Sequence, residues 1–321
     1  VSGLSLDGTG LAAVMPSTVN TYVPGLTLSR GLTIVDAVGQ LNPSSGLVLR
    51  GSGLSFGLTA GAPLDATVSA WAAAVVVNGG TVSLPRAILV NTLITAWIAA
   101  GVWDLIDDAW LLVAENAPQA LTSLKQRRLA TATAAPTFTV DRGYAFNGTA
   151  QYLDTGFIPN TNKVAMTGTN MHLAVYERTN VNAATAAAGC LNFSTQNLMI
   201  IPRTAGIMTV GCNNSSTGGT PTSITDSRGL SVGSRNGALV SNVLAYKNGA
   251  AILPSGIAAV SASLPTSKIY IGARSDNTNA ATLFRAATEG FVSAGADIPA
   301  GQQPAFYAAI QSFMTSVGAN V

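Results

Sequence analysis

The chain has 321 residues, only 9% of them charged, and 16 Lys and Arg against 14 Asp and Glu leave a net charge of +2. That balance excludes an electrostatic nucleic-acid binder, which needs a clustered basic face, and 48% hydrophobic content excludes a disordered polyelectrolyte. A composition poor in charge and rich in small residues leans towards β structure, and the length accommodates one large β domain with additions or several domains.

Residues 1–62 carry short apolar runs, Leu26-Thr27-Leu28 and Leu47-Val48-Leu49, between turn signals at Asp7-Gly8, Pro24-Gly25 and Asn42–Gly46. Gly53-Leu54-Ser55-Phe56-Gly57-Leu58 alternates with period two, the pattern of a half-buried strand. This stretch reads as a β-rich anchoring or oligomerisation segment, too small and polar for a core of its own. Val1–Gly10 has neither the basic nor the apolar region of a signal peptide.

Residues 63–116 change period and predict a small helical unit. Asp65 stands as N-cap to a helix carrying Val68, Trp71 and Val75 on one face, stopped by Asn78-Gly79-Gly80. A second helix starts at Ser83, with Pro85 in its first turn and Ile88, Leu89, Thr92, Leu93, Ala96 and Trp97 on one face, and ends at Gly101. A shorter turn follows through Val102, Trp103 and Ile106. The four tryptophans, Trp71, Trp97, Trp103 and Trp110, are expected to fill the core of this unit. The longest apolar stretch, Ile88 to Trp103, is broken by Asn91, Thr92 and Thr95 and falls short of the ~20 residues that span a bilayer, so membrane insertion is not expected.

From residue 117 to 321 the text is β. Strands are expected at Phe138–Val140, Tyr144–Phe146, Tyr152–Asp154, Met171–Arg178, Leu198–Pro202, Ile207–Cys212, Leu230–Ser234, Val243–Lys247 and Lys268–Ala273. Asn147-Gly148 and Asn248-Gly249 both suit type I′ hairpins. Many short strands between turns predict a mainly β fold built on an antiparallel sandwich. Pro304–Val317 returns to helical period, with Phe306, Ala309, Ile310 and Phe313 on one face.

Little in the chain carries chemistry. Cys190 and Cys212 lack zinc spacing and stand either as buried thiols or as a single bridge across a hairpin. His172 sits in the alternating strand Met171–Tyr176 and reads as a hydrogen-bonded strand histidine. The acids after residue 140, among them Glu177 and Glu289, are isolated, and no catalytic elbow, phosphate loop or zinc motif occurs. The chain is therefore read as no enzyme. Asp154 is expected to cap a turn. Asp276, Asn277 and Asn279, in the loop Arg274–Asn279, are the candidate ligand-binding residues, because their oxygens suit calcium or sugar hydroxyls. Asn213–Gly219 is a second polar loop, expected at a hairpin tip.

Four pieces in order, Tyr144–Gly148 with Tyr152–Gly156, Val243–Gly249, Lys268–Gly272, and Leu283–Val292 with the helix to Ile310, resemble a laminin-G-like, concanavalin-type jelly roll. With the Trp-containing helix at 68–83 ahead of it, the combination is similar to virion proteins of tailed bacteriophages. The resemblance implies a structural virion component, such as a decoration protein, head fibre or tail accessory protein, oligomeric and partnered by other virion proteins. The alternative it implies is a carbohydrate- or host-surface-binding adhesin.

Overall fold

The computed structural model describes residues 64–214, 223–252, 257 and 260–321, with the backbone of 48–51, 54–57 and 218–219. The expectations for residues 1–47, 52–53 and 58–62, and for Ser215–Thr217 of the second polar loop, lie outside the described residues. The chain divides into two units, Val1–Pro63 and Leu64–Val321. In the first, β1 (Val48–Gly51) pairs antiparallel with β2 (Leu54–Gly57), Gly51 opposite Leu54.

The second unit opens with two capped helices. Asp65 accepts the amide of Thr67 at 2.8 Å and starts α1 (Ala66–Val77), which ends where Gly79 takes a φ of +82°. Ser83 accepts the amide of Arg86 at 3.2 Å and starts α2 (Leu84–Ala99), which ends at Gly101. The buried stripe of α2 is Arg86, Ala87, Val90, Leu93, Ile94 and Trp97. Of the expected face, Leu93 and Trp97 are buried but Ile88, Thr92 and Ala96 are exposed. Arg86 turns the helix: its Nη1 donates to the Val113 carbonyl at 3.1 Å and its Nη2 pairs with Asp141, so that face must point inward. After one 3-10 turn at Trp103–Leu105 the chain becomes β3 (Ile106–Leu111), a buried strand where only a turn was expected.

The remaining elements follow in order: α3 (Ala117–Leu121), β4 (Thr131–Thr133), β5 (Thr137–Thr139), β6 (Gly143–Ala145), β7 (Tyr152–Asp154) and α4 (Pro159–Asn162). Next come β8 (Asn170–Glu177), β9 (Ala188–Phe193), β10 (Gln196–Thr204), β11 (Ile207–Cys212), β12 (Gly218–Gly219) and β13 (Gly229–Asn236). The chain closes with β14 (Val243–Lys247), β15 (Ala250–Ile252), β16 (Tyr270–Ile271), β17 (Arg274–Ser275), β18 (Ala281–Thr282), β19 (Thr288–Gly295) and α5 (Gln303–Ser316).

These strands form two sheets. One runs β15-β14-β13-β8-β19-β6-β5, with β3 also on β19; the other runs β12-β11-β10-β9-β16-β7-β4, with the β17–β18 hairpin attached through β9. Pairing is antiparallel apart from one parallel contact, Ser275 with Cys190. Leu173, Val175, Val292 and Ala294 of the first sheet meet Leu153, Leu198, Ile200, Val210 and Ile271 of the second in one core, so the mainly β antiparallel sandwich expected from the sequence is the fold. The hairpin at Asn248-Gly249 forms with both residues at positive φ, 51° and 77°. Asn147-Gly148 makes no hairpin, because β6 and β7 lie in different sheets. There the Asn147 side chain accepts the amides of Thr149 and Ala150 at 3.0 and 3.1 Å, which turns the chain from one sheet to the other.

A second core lies outside the eight-stranded sheet. Helices α1, α2 and α5 cover Ala174, Tyr176, Leu230, Val232, Tyr246 and Phe291, and Trp97 packs 5.8 Å from Phe291 and 5.6 Å from Phe306. Three of the tryptophans sit in this core, while Trp110 faces the sandwich interior beside Phe157. Trp97 thus fills the joint between helices and sheet. Trp97→Ala is expected to lower stability by about 3–5 kcal/mol, read from urea unfolding curves with an unchanged slope.

Candidate functional site

Several buried ionisable groups are held by the scaffold. His172 on β8 is fully buried, with Nδ1 on the Ala296 carbonyl and Nε2 3.1 Å from the Ser293 hydroxyl. Burial drives its pKa down to about 4, so the ring is neutral, donates from Nδ1 and accepts at Nε2. The fold also brings together two acids that the sequence shows as isolated: Glu177 and Glu289 are direct cross-strand neighbours, both fully buried. Arg285 grips Glu177 through Nε and through Nη2 at 2.8 Å, and donates to the carbonyls of Val181 at 3.1 Å and Thr185 at 2.9 Å. Burial, then the adjacent Glu177 charge, raises the Glu289 carboxyl well above the usual range. Nearby Lys247 donates to the Ser227 carbonyl at 2.7 Å and the Ser231 hydroxyl at 3.1 Å, and burial lowers it to about 8. A substrate has no path to this pair of carboxylates, since neither they nor Arg285 have exposed surface.

Cys190 and Cys212 are free, buried thiols. Both lie opposite Leu198, one on each side of β10, in a three-strand meander rather than a single hairpin. Two strand spacings, about 10 Å, exceed the reach of a disulfide, so the bridge entertained from the sequence does not form. Burial pushes the Cys190 thiol up to about 12, which makes it inert.

An open hollow of about 480 Å³ at one end of the sandwich is lined by Asn160, Lys163, Thr167, Gln196, Ser263 and Thr266 among others. It offers amides and hydroxyls but no aromatic face. The outer face of the nine-stranded sheet differs. No residue of this sheet belongs to the core that α1, α2 and α5 cover. Leu153 and Ile271 point inward, so their strand neighbours Tyr152, Asp154 and Tyr270 point outward. Tyr152 packs 4.5 Å from Tyr270 and 6.2 Å from Phe284, giving a cluster of three rings in which Tyr152 and Phe284 stay partly exposed.

Polar groups surround the rings. Asp154 accepts the Gly156 amide at 2.9 Å, the turn-capping role expected of it, and the Lys268 ammonium at 2.7 Å. The Tyr270 hydroxyl donates to the Asn279 carbonyl at 2.7 Å, which seats the loop chosen from the sequence directly beside the cluster. Within that loop Asp276 Oδ1 accepts from the Thr278 amide at 2.8 Å, the Thr278 hydroxyl at 2.7 Å and the Ala280 amide at 2.9 Å. Asn279 Oδ1 accepts the Lys268 amide at 2.9 Å, and Asn277 is exposed. Asp276 and Asn279 therefore shape the loop, and the ring cluster is what sequence reasoning missed. The aromatic residues of three separate segments carried the signal, but nothing in one dimension pairs them. Among the described residues, no three His, Cys, Asp or Glu side chains gather as a metal site, and no helix is long and apolar enough to cross a membrane.

No family model and no curated protein matches the chain. Among solved structures it is similar to Trypanosoma rangeli sialidase in complex with sialic acid, at 11% identity and a TM-score of 0.43 over 72% of this chain and 40% of that one. It is also similar to domain 4 of an extracellular arabinanase from Geobacillus stearothermophilus in complex with arabinotriose, at 11% identity and 0.36 over 63% and 98%. The binding domain of botulinum neurotoxin serotype G gives 11% and 0.40 over 64% and 51%. The chain thus spans less than half of the sialidase. Likenesses this distant carry no functional argument, and the fold rests on the sheets themselves.

The neutral buried His172 has a consequence for stability. Its folded pKa of about 4 lies below the unfolded value near 6.5, so the unfolded state binds the extra proton as pH falls. Its contribution is intact above pH 6.5 and declines by about 3 kcal/mol towards pH 4. Urea titrations at pH 7, 5.5 and 4 are expected to show a drop in the wild type that is smaller by about this amount in His172→Gln.

Proposed function

We propose that the protein is a non-catalytic glycan-binding module that takes its ligand on the helix-free face of the nine-stranded sheet. The Tyr152–Tyr270–Phe284 cluster carries this reading. Half-exposed rings present an apolar face to the C–H surface of a sugar, and the flanking Lys268, Asn277 and Thr278 offer polar groups to its hydroxyls. The absence of catalysis is part of the proposal. Glycosidases need two carboxylates flanking the scissile bond, and Glu177 and Glu289 are buried under Arg285.

Glycan-array screening followed by calorimetry tests the reading. The double variant Tyr152→Ala/Phe284→Ala is expected to weaken binding at least tenfold while leaving the circular dichroism spectrum unchanged, whereas Asn160→Ala in the polar hollow leaves affinity intact. Wild-type affinity in the double variant would overturn the placement of the site.

A second reading, display of the module on a virion, is favoured by the separate unit Val1–Pro63 ahead of the sandwich. Immunogold labelling of particles from the source, with antibody to residues 138–321, is expected to decorate heads or tails. Unlabelled particles would remove this reading and leave glycan binding standing.

A further inference from the structure

Several arginines of the sandwich are fastened to carbonyls or carboxylates. Arg285 is held by Glu177 and three carbonyl groups, Arg235 by the carbonyls of Gly168, Asn213, Gly237 and Ser261, and Arg86 by Asp141 and the Val113 carbonyl. Arg274 is the exception on the aromatic face. Its Nε is buried with no hydrogen-bond partner, its Nη1 has only the Met199 sulfur at 4.0 Å, and its Nη2 reaches the Thr282 hydroxyl at 3.4 Å. It belongs to none of the ion pairs among the described residues. Asp276, two positions on, lies close enough for its charge to act on the guanidinium, but it forms no ion pair with it and directs Oδ1 into its own loop. Arg203 also has an unpartnered Nε, but its Nη1 is fixed on Asn180 at 3.1 Å.

The position of Arg274 ties it to the rings. It stands opposite Thr282, from which the chain runs through Leu283 into Phe284. Met199, beneath its guanidinium, lies on the outward row Tyr270, Gly189, Met199, in which the middle position has no side chain. Tyr270 and Met199 are therefore two strand spacings apart, about 10 Å; both are buried, so the groups left accessible along this row are Arg274 above Met199 and the rims of Tyr152 and Phe284 beside Tyr270. A half-buried guanidinium has already lost much of its hydration, so a planar anion meeting its weakly engaged Nη donors gains a charge-assisted bidentate contact at small further desolvation.

We infer that Arg274 is the anion-reading residue of this face, and that the ligand is an acidic polysaccharide whose sugar carboxylate sits on Arg274 while a neighbouring ring stacks on Tyr152 and Phe284. The inference rests on the glycan-binding reading and adds the class of glycan. A chain of sulfate esters shares the charge and can also offer two oxygens to one guanidinium edge, so it is the competitor that the test separates from a carboxylate chain, while the low net charge of +2 disfavours a nucleic-acid backbone.

The test is a ratio measured within each variant. Polygalacturonate, alginate and hyaluronate oligomers are titrated into the full chain, each against its carboxyl-reduced counterpart, with dextran sulfate as a separate arm. At least one acidic oligomer is expected to bind tenfold or more tightly than its reduced form, and added salt narrows that gap. Arg274→Gln is expected to bind both forms alike, at the affinity the wild type has for the reduced one, and Arg274→Lys to recover part of the preference. Equal binding of both forms by the wild type, an unchanged preference in Arg274→Gln, or tighter binding of dextran sulfate than of every carboxylate oligomer would each overturn the assignment. If reduced oligomers still bind and Tyr152→Ala/Phe284→Ala abolishes that binding, the glycan face survives without Arg274. Binding of no oligomer at all removes both.

Discussion

Strand β19 has neither a free edge nor a free face, and the rest of the molecule is arranged around that constraint. One edge pairs with β8; the other is divided between β6 at Thr288 and Glu289 and β3 from Phe291 to Gly295. The hand-over point is the Gly290 carbonyl, which accepts the amides of Leu112 and Val113 at 3.0 and 3.1 Å. Glycine is required where the neighbours press closest: a Cβ on Gly295 would stand 2.1 Å from the Leu105 carbonyl oxygen, and one on Gly143 would stand 2.1 Å from that of Glu289. Val292 and Ala294 face the sandwich interior while Phe291 meets Trp97, so one strand joins both cores. The helices are consequently a layer of the sandwich, with β3 as the stitch that inserts their segment into the sheet.

Placing α1, α2 and α5 on the eight-stranded sheet leaves the outer face of the nine-stranded sheet free of them. A chain with so few charges has little long-range field for steering, and the structure spends several of its buried charges as brackets on loop carbonyls. Arg285 binds the segment 181–185, Arg235 gathers residues from four separate loops, and Lys125 donates to the carbonyls of Trp103 and Ile106. Arg285 is paired with Glu177, whereas Arg235 and Lys125 rest on carbonyls alone; hydrogen-bonded in this way such groups tolerate burial, and removing Arg285 would strand Glu177 in a medium of low dielectric. On the proposed glycan-binding reading, recognition falls to surface groups that work at contact range, which are rings, amides and the weakly engaged guanidinium of Arg274.

Local chemistry was legible in the sequence and long-range pairing was not. Asp65 and Ser83 announce their helices because a cap is a contact between residues two or three apart, and Asn248-Gly249 announces its hairpin because positive φ at both residues is a local demand. Strand β9 escaped because Gly189 and Asn192 interrupt its alternation, and its strand state comes from pairing with β10 and β16. The face of α2 differs from the one expected because its apolar pattern alone does not include Arg86, which is buried against Asp141 and the Val113 carbonyl. Asn147-Gly148 has the same local chemistry as a hairpin but serves a sheet-to-sheet turn. The loop at Asp276 was found from its side chains, while the rings beside it come from β7, β16 and the segment after β18 and meet only once the sheet exists.

The ring cluster also explains why so short a hairpin holds its place. Strands β17 and β18 pair over two residues each, Arg274 with Thr282 and Ser275 with Ala281, far too little to persist alone in water. Its stability is borrowed from three contacts with the sheet below: the Tyr270 hydroxyl on Asn279, the Ser275 hydroxyl on the Lys268 carbonyl at 2.5 Å, and the parallel pairing of Ser275 with Cys190. Tyr270 is therefore a structural ring, nearly wholly buried, while Tyr152 and Phe284 remain accessible at its rim. Tyr270 thus joins the loop to the stack while two rings of that stack stay accessible, so the polar tip at 276–280 is held beside the rings.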